Sequence, residues 1–195
     1  MEKIDRRTLK TKEKIDAAIV MLCQNKINFD TLTGPKLATT AGISRQTFYR
    51  YYLSPKEVII TMIDQHLNEF LKEFRIQDLT ARNMTLQLMT TWQERTNVFE
   101  LIEWSNTRQA FIKRLSEFNQ RIAQQNKVNL IDEKSICNVY AAATYMFLRD
   151  YVLNQKWSKE QATDLFLHLT NNLDKIFLIM EQTVHISPYL RPKFR

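Results

Sequence analysis

From Ser44 to Lys56 the chain reads Ser44-Arg45-Gln46-Thr47-Phe48-Tyr49-Arg50-Tyr51-Tyr52-Leu53-Ser54-Pro55-Lys56, a run dense in fixed cations and hydrogen-bond donors. Such groups neutralise and grip a polyanion. The wider charge distribution agrees. Residues 1–56 carry eleven Lys and Arg against five Asp and Glu, a net +6, whereas the other 139 residues carry seventeen against sixteen, a net +1. Positive charge concentrated this way suits a phosphate backbone, which releases condensed counterions when neutralised. Without a structural motif beside it, the same charge would equally describe a solvated basic surface.

Other chemistries find little support. His66, His168 and His185 are widely separated, and no Cys/His spacing suits zinc. His66 and His168 read as partly buried helix residues. Two glycines cannot build a glycine-rich phosphate loop, and no serine lies in a nucleophile-elbow setting. Glu100 and Glu103 read as an exposed helix face. No catalytic residue, metal site or cofactor is therefore expected, and the chain reads as a non-enzyme. Cys23 and Cys137 stand alone in apolar helical patterns, as buried thiols of a reducing cytoplasm do.

The elements that position the basic run follow from its punctuation. The chain's two glycines, Gly34 and Gly42, both precede it closely. Gly42 lies between two short helical patterns, where a sharp turn calls for a positive φ that glycine adopts freely. Ala38 is small enough to let the second helix cross closely, and Leu37, Ala41, Ile43, Phe48 and Tyr51 supply apolar positions that pin the pair. This spacing predicts a helix-turn-helix. Thr33 before Gly34-Pro35 predicts the cap of its first helix, and Ser44 the cap of its second, about seven residues long. Upstream, Ile15, Ala18, Ile19 and Leu22 predict a helix from about Thr11 to Asn25 with one buried face. Downstream, Ser54-Pro55-Lys56-Glu57 is a capping box with proline at the first helical position. It opens a fourth helix to about Phe74, with Val58, Ile59, Ile63, Leu67 and Phe70 on its stripe. No turn signal interrupts this helix, so it must link the N-terminal unit to the rest.

The remainder predicts helices with short polar joints: about Arg82 to Glu94, then two between Val98 and Gln125 with no residue signal for the break. Asp132 predicts the cap of a helix to about Asn154, and Ser158-Lys159-Glu160-Gln161 is a second capping box, opening a helix to about Glu181. The fold class is all-α: a three-helix helix-turn-helix head at residues 1–56, joined by a long helix to an all-helical body at residues 57–195, the part left for any effector-binding and dimerisation role. A hydrophobic fraction of 44% and charged fraction of 25% are ordinary for a globular protein. No apolar run approaches the roughly 20 residues needed to span a bilayer, and the N-terminus lacks the apolar core of a signal peptide. A cytoplasmic protein without membrane partners is expected.

The head, the linking helix and the helical body resemble the tetracycline-repressor (TetR) family of bacterial transcription regulators. Residues 11–59 carry the likeness, through Ile15-x-x-Ala18, Thr33, Leu37-Ala38-x-x-Ala41-Gly42-Ile43-Ser44-x-x-Thr47-Phe48-Tyr49-Arg50-Tyr51-Tyr52 and the capped helix that follows. One position departs: the family usually has lysine directly after the residue at Ser54, and here Pro55 stands there with Lys56 next. Residues 75–195 match only in length, helicity and helix order.

The resemblance implies that the third helix enters the major groove of double-stranded DNA, with Ser44, Arg45, Gln46 and Thr47 at its first turn. Arginine can bind guanine O6/N7 and glutamine adenine N6/N7, each through two hydrogen bonds. Thr33, Tyr49, Arg50 and Lys56 are better suited to phosphates, which fix register without reading bases. Half-buried packing is the alternative for Tyr49, and packing is preferred for Phe48 and Tyr51. Arg6, Arg7 and Lys10 suit either an arm over the DNA or a disordered basic leader. In the body, where large aromatics are core by default, Trp104, Arg108, Phe111, Tyr145 and Arg149 are candidate effector contacts. Arg149 and Asp150 could instead pair at a subunit interface.

Together these features describe a homodimeric, sequence-specific DNA-binding regulator on a palindromic operator. It would be a repressor released by an unknown small-molecule effector, with the fourth helix carrying the change to the two heads. A helical interaction protein of the same fold is the alternative, either an activator working with a partner or a nucleoid-associated factor. Dimerisation is expected through 132–154 and 158–181. Ala141, Ala142 and Ala143 would allow close approach, and Phe147, Phe166, Leu169, Leu173 and Phe177 would fill either the interface or the monomer's own core.

Overall fold

The structure, a computed structural model, describes residues 6–72, 80–125, 127 and 132–170. Regular structure among them comprises helices α1 (Arg6–Gln24), α2 (Gly34–Thr40), α3 (Arg45–Tyr49), α4 (Pro55–Lys72), α5 (Ala81–Gln93), α6 (Thr96–Trp104), α7 (Arg108–Gln125), α8 (Glu133–Asn154) and α9 (Lys159–Leu169). A single 3-10 turn at Phe29–Thr31 joins α1 to α2, and no strand occurs among the described residues. The fold is all-α.

Side-chain caps set most of the helix starts. Thr33 accepts from the Lys36 N–H, Ser44 from Thr47 at 3.0 Å and Asp132 from Ser135 at 3.1 Å. Each satisfies an amide that the first turn leaves without a helical partner. Ser158 and Gln161 close a full capping box, each side chain accepting from the other's N–H. The box at Ser54 closes differently. Ser54 accepts from Glu57 N–H at 3.3 Å, but the Glu57 carboxylate reaches one residue further back, to the N–H of Leu53.

Two boundaries differ from the predicted ones, and a third, left open by the sequence, is now placed. Helix α1 is already formed at Arg6, the first described residue, because nothing in Arg6–Lys10 breaks a helix and Thr11 bonds back to the Arg7 carbonyl at 2.8 Å. Helix α3 has five residues, its chain turning at Arg50 and Tyr51 so that Tyr52 enters the core. The unplaced break falls at Ser105–Thr107, where Asn106 takes φ +52° and the buried hydroxyls of Ser105 and Thr107 bond each other. The end of the predicted fourth helix beyond Lys72 and most of the last one beyond Thr170, with Leu173 and Phe177, lie outside the described residues.

Apolar stripes assemble the helices into a head and a body. In the head, Ile15 and Ile19 of α1, Leu37 of α2, Phe48 of α3 and Val58 of α4 are wholly buried together. In the body, Trp92, Phe99, Phe111 and Tyr145 form an aromatic cluster with ring centroids 5.4–6.0 Å apart. Helix α7 packs along α8, and α5 along α9. Helix α4 touches α1 as well as α6 and α7, and Asp64 on it meets Arg114 of α7 at 2.8 Å. Arg95 adds a second tie, donating to half-buried His66 of α4 and to Glu69. Cys137 is buried and Cys23 half-buried, both as free thiols, while His168 is exposed on α9 rather than partly buried.

Glycine is scarce, and the joints reflect it. Lys26, Asn106, Lys127 and Gln155, each just past a helix end, occupy the left-handed region at φ 54°, 52°, 53° and 49°. Gly42 does so at φ +65°, with open space where a Cβ would stand. Gly34 is needed for a different reason: a Cβ there would lie 2.8 Å from the Tyr49 hydroxyl and 2.9 Å from Phe48. The two substitutions should therefore separate. Gly42→Ala should cost about 1 kcal/mol through backbone strain alone. Gly34→Ala should cost roughly 1–3 kcal/mol by overpacking and disturb Tyr49 as well. Urea unfolding together with Tyr49 fluorescence, in a background that isolates it, checks both.

Candidate nucleic-acid interface

The candidate site is built on α3, which turns one face inward and the other out. Phe48 is wholly buried and anchors the helix, leaving Arg45 and Gln46 exposed on its first turn. Ser44 is exposed at the cap, with its hydroxyl 2.8 Å from that of half-buried Thr47. The Arg45 guanidinium lies over the Tyr49 ring at 5.5 Å, and that of Arg50 over Tyr51 at 5.0 Å. Such stacking holds a long cationic side chain in place without neutralising it. Tyr49 is 41% exposed. Its hydroxyl stands against Gly34, beside exposed Thr33 at the start of α2. Thr33 and Tyr49 are thus brought together, as are Ser44, Arg45, Gln46 and Thr47. Lys56 is exposed in the first turn of α4, next to Pro55.

One acidic group weakens the head from within. Asp16 of α1 is half-buried, and its Oδ1 has no hydrogen-bond partner among the described residues. Burial pushes its carboxyl up to about 6, with Lys12 pulling down and Glu13 pushing further up. Tyr52 is pushed up to about 12, by burial first and then by Asp16 and Glu57.

The body residues named from sequence divide. Arg108, Tyr145 and Arg149 converge on Glu103 of α6. The Tyr145 hydroxyl donates to it, Arg149 Nε lies 3.2 Å away and an Arg108 nitrogen 3.8 Å away. Burial pushes the Glu103 carboxyl up, but the bonds from Tyr145 and Arg149 and the charges of Arg149 and Arg108 outweigh it, holding the group below its ordinary value. Glu103 is therefore not the exposed residue its spacing suggested; Glu100 is. Arg149 pairs within the chain, and Asp150 takes a bond from Asn154. Phe111 is sealed in the aromatic cluster. Trp104 turns away from the others toward the head, donating from Nε1 to the Ile27 carbonyl at 2.6 Å and meeting Phe29 edge-on at 4.9 Å.

None of these five lines a small cavity in the body. That space, about 20 Å³, lies among α4, α5, α7 and α8, with Phe70, Leu88, Leu115 and Phe118 as apolar walls and Thr85, Asn119 and Thr144 as polar ones. Asn119 is 1% exposed, and its Nδ2 has no partner among the described residues. Sequence reasoning missed Asn119 because an asparagine in a helix carries no mark of burial. Among the described residues, no group of three or more His, Cys, Asp or Glu could hold a metal ion, and no helix is long and apolar enough to cross a membrane.

No protein-family model and no curated protein sequence matches the chain. Solved structures do. Lin0861 from Listeria innocua superposes with a TM-score of 0.79 at 25% identity, covering 89% of this chain and 96% of that one. DhaS, a dihydroxyacetone kinase operon activator, superposes with a TM-score of 0.55 at 23% identity, covering 86% of this chain and 97% of that one. These likenesses establish a shared all-helical architecture that extends through both head and body.

Asp16 gives the head a signed pH dependence. Its carboxyl is raised on folding, so the folded chain holds the proton from about pH 4 to 6 while the unfolded chain releases it. Stability from this group is thus lost as pH rises through that window, and the penalty is complete above about 6. Asp16→Asn should melt with the parent near pH 4, increasingly above it as pH rises through about 6, and by a constant margin from there to pH 7.5. Thermal melts followed by circular dichroism across that range check this; parallel curves would remove the assignment.

Proposed function

We propose that the chain is a DNA-binding transcription regulator of the tetracycline-repressor type, working as a cytoplasmic homodimer on a two-fold operator. One observation carries the reading: α3 buries Phe48 completely and so projects Arg45 and Gln46 outward from a head that carries nearly all the chain's excess charge. A short helix held by one buried aromatic is a rigid reader, and its first-turn side chains are those that reach base edges in the major groove. Thr33, Tyr49, Arg50 and Lys56 grip the flanking phosphates, and no catalytic role is assigned.

Release of DNA by a small molecule is the favoured mode of control. The body cavity would accept about one water as it stands, so an effector must part its walls, and Phe70 on one wall belongs to α4. Movement of α4 would reach the head directly. Activation with a partner is the second reading, favoured by the fold likeness to an operon activator. A mobility shift against the chain's own upstream region, paired with a reporter in a deletion background, separates repression from activation. Arg45→Ala or Gln46→Ala should lose roughly 1–3 kcal/mol at particular base pairs and relax the preferred sequence. If selection returned the parent's sequence for both variants, other residues must read the bases.

The dimer is supported by apolar side chains that the monomer leaves in water. Val139 and Met146 of α8 and Leu169 of α9 are 56%, 57% and 64% exposed. Phe166, by contrast, is buried against Tyr140 and Phe147 and belongs to the monomer's own core, as does Ala141. Each head reads only a few base pairs, so adequate specificity calls for two. Sedimentation equilibrium at micromolar concentration should return twice the chain mass, and Val139→Lys with Met146→Lys should return the monomer. A parent that sediments as a monomer and binds operator singly would overturn the two-fold model.

A further inference from the structure

His66 is a titratable group that the DNA-reading chemistry does not use, and it stands on the helix that links head to body. It occupies the apolar stripe of α4, three residues after wholly buried Ile63 and four before buried Phe70. Its side chain is 26% exposed. Facing it is Arg95, in the joint between α5 and α6, whose guanidinium is anchored by a bond from Nε to the Thr91 carbonyl at 3.0 Å. Arg95 lies over the Trp92 ring at 5.8 Å, and His66 meets the same ring edge-on at 6.2 Å. One indole thus backs both groups.

Two partners converge on a single atom of His66. Arg95 Nη1 bonds to Nδ1, while Glu69 Oε2 lies 3.4 Å from that nitrogen and 3.1 Å from Arg95 Nη1. A guanidinium has donors only, so its bond requires a bare Nδ1, with the neutral ring's proton on Nε2. An ionised carboxylate only accepts, so a bond to Glu69 requires Nδ1–H. The two partners therefore demand opposite protonation states. Taking up a proton at Nδ1 would exchange a partner outside α4 for one on it, and would set an imidazolium beside a guanidinium. Imidazole changes charge between roughly pH 5 and 8.

The other charges near α4 are engaged elsewhere. Among the described residues, Arg114 of α7 pairs with Asp64 and Glu117, Glu103 of α6 takes Tyr145 and Arg149, and Asp16 of α1 lies by Lys12 and Glu13. Glu94 and Glu100 are exposed. Arg95 and Glu69 are the charged groups that meet His66.

Resting on the reading above, in which α4 carries the signal between body and head, we propose that His66 is a proton-operated latch on that helix. Neutral, it ties α4 to the α5–α6 joint through Arg95; protonated, it turns to Glu69 on its own helix and frees the joint. A freed α4 must be ordered again when the heads bind DNA, so acid weakens binding.

Proton–nitrogen NMR spectra of the full chain, with His66→Gln identifying the ring, test the latch directly. At pH 8 they should show a bare Nδ1 and a protonated Nε2; a protonated Nδ1 at that pH overturns the proposal. Affinity for the duplex that the parent selects, measured by fluorescence anisotropy at pH 7.5 and 5.5, tests the coupling. The parent should lose roughly fivefold or more on acidification, the low end of ordinary coupling between sites. His66→Gln, whose neutral side chain can still accept from Arg95, should lose less. Glu69→Gln removes the partner of the protonated ring at an exposed position, and should move the loss to lower pH. Asp16 titrates in the same range but is common to all three chains, so the differences among them belong to the latch. Equal affinity changes in the three chains would overturn it while leaving the DNA-binding reading intact. If the parent binds no duplex at pH 7.5, the regulator reading fails, and the nitrogen spectra alone decide the latch.

Discussion

Phe48 is wholly buried, and the room for it comes from a missing atom. Gly34 sits where any side chain would strike Phe48 and the Tyr49 hydroxyl. With Phe48 seated in the head's core, the five residues of α3 are fixed against α2, although a helix that short has almost no stability of its own. The outward aim of Arg45 and Gln46 and the nearness of Tyr49 to Thr33 both follow from that one seat. Gly42 serves the same end by another route. It lets the chain reverse between α2 and α3 at φ +65°, where there is space for a side chain but a penalty for the backbone.

Features decided by near neighbours were legible in the sequence. Caps at Thr33, Ser44, Asp132 and Ser158 depend on residues within three positions, and each of the four accepts from an amide in the first turn of the helix it was expected to cap. The buried stripes of α1 and α4 follow from helical period alone. Features decided by distant neighbours were not legible. Glu103 looks like one of an exposed pair until Tyr145, forty-two residues on, is folded against it. Trp104 reads as a pocket wall, and only its bond to Ile27, seventy-seven residues back, shows that it faces the head. The α6–α7 break has neither glycine nor proline to announce it; Asn106 and two hydroxyls make it instead.

Glu103 and Trp104 are neighbours at the end of α6 and look in opposite directions. One is gripped by α7 and α8 side chains, the other by the loop that leads into α2. The last turn of α6 is therefore tied to the body through charge and to the head through a single hydrogen bond and a ring edge. Helix α4 supplies a second, parallel connection through Asp64, His66 and Phe70. Two separate struts of this kind constrain rotation as well as translation between head and body, which a single linking helix would not.

The left-handed joints at Lys26, Asn106 and Gln155 bear on how the assembly moves. A glycine at each would sit there without strain, but it would also open other conformations to the joint. With a side chain present, the left-handed state costs about 1–2 kcal/mol and the neighbouring states are fewer. Such strain persists only where the packing on both sides over-determines the corner, so each bend is held by the helices it joins and not by the corner itself. A push on one rod is passed to the next around the bend, where a looser corner would absorb it as local wobble.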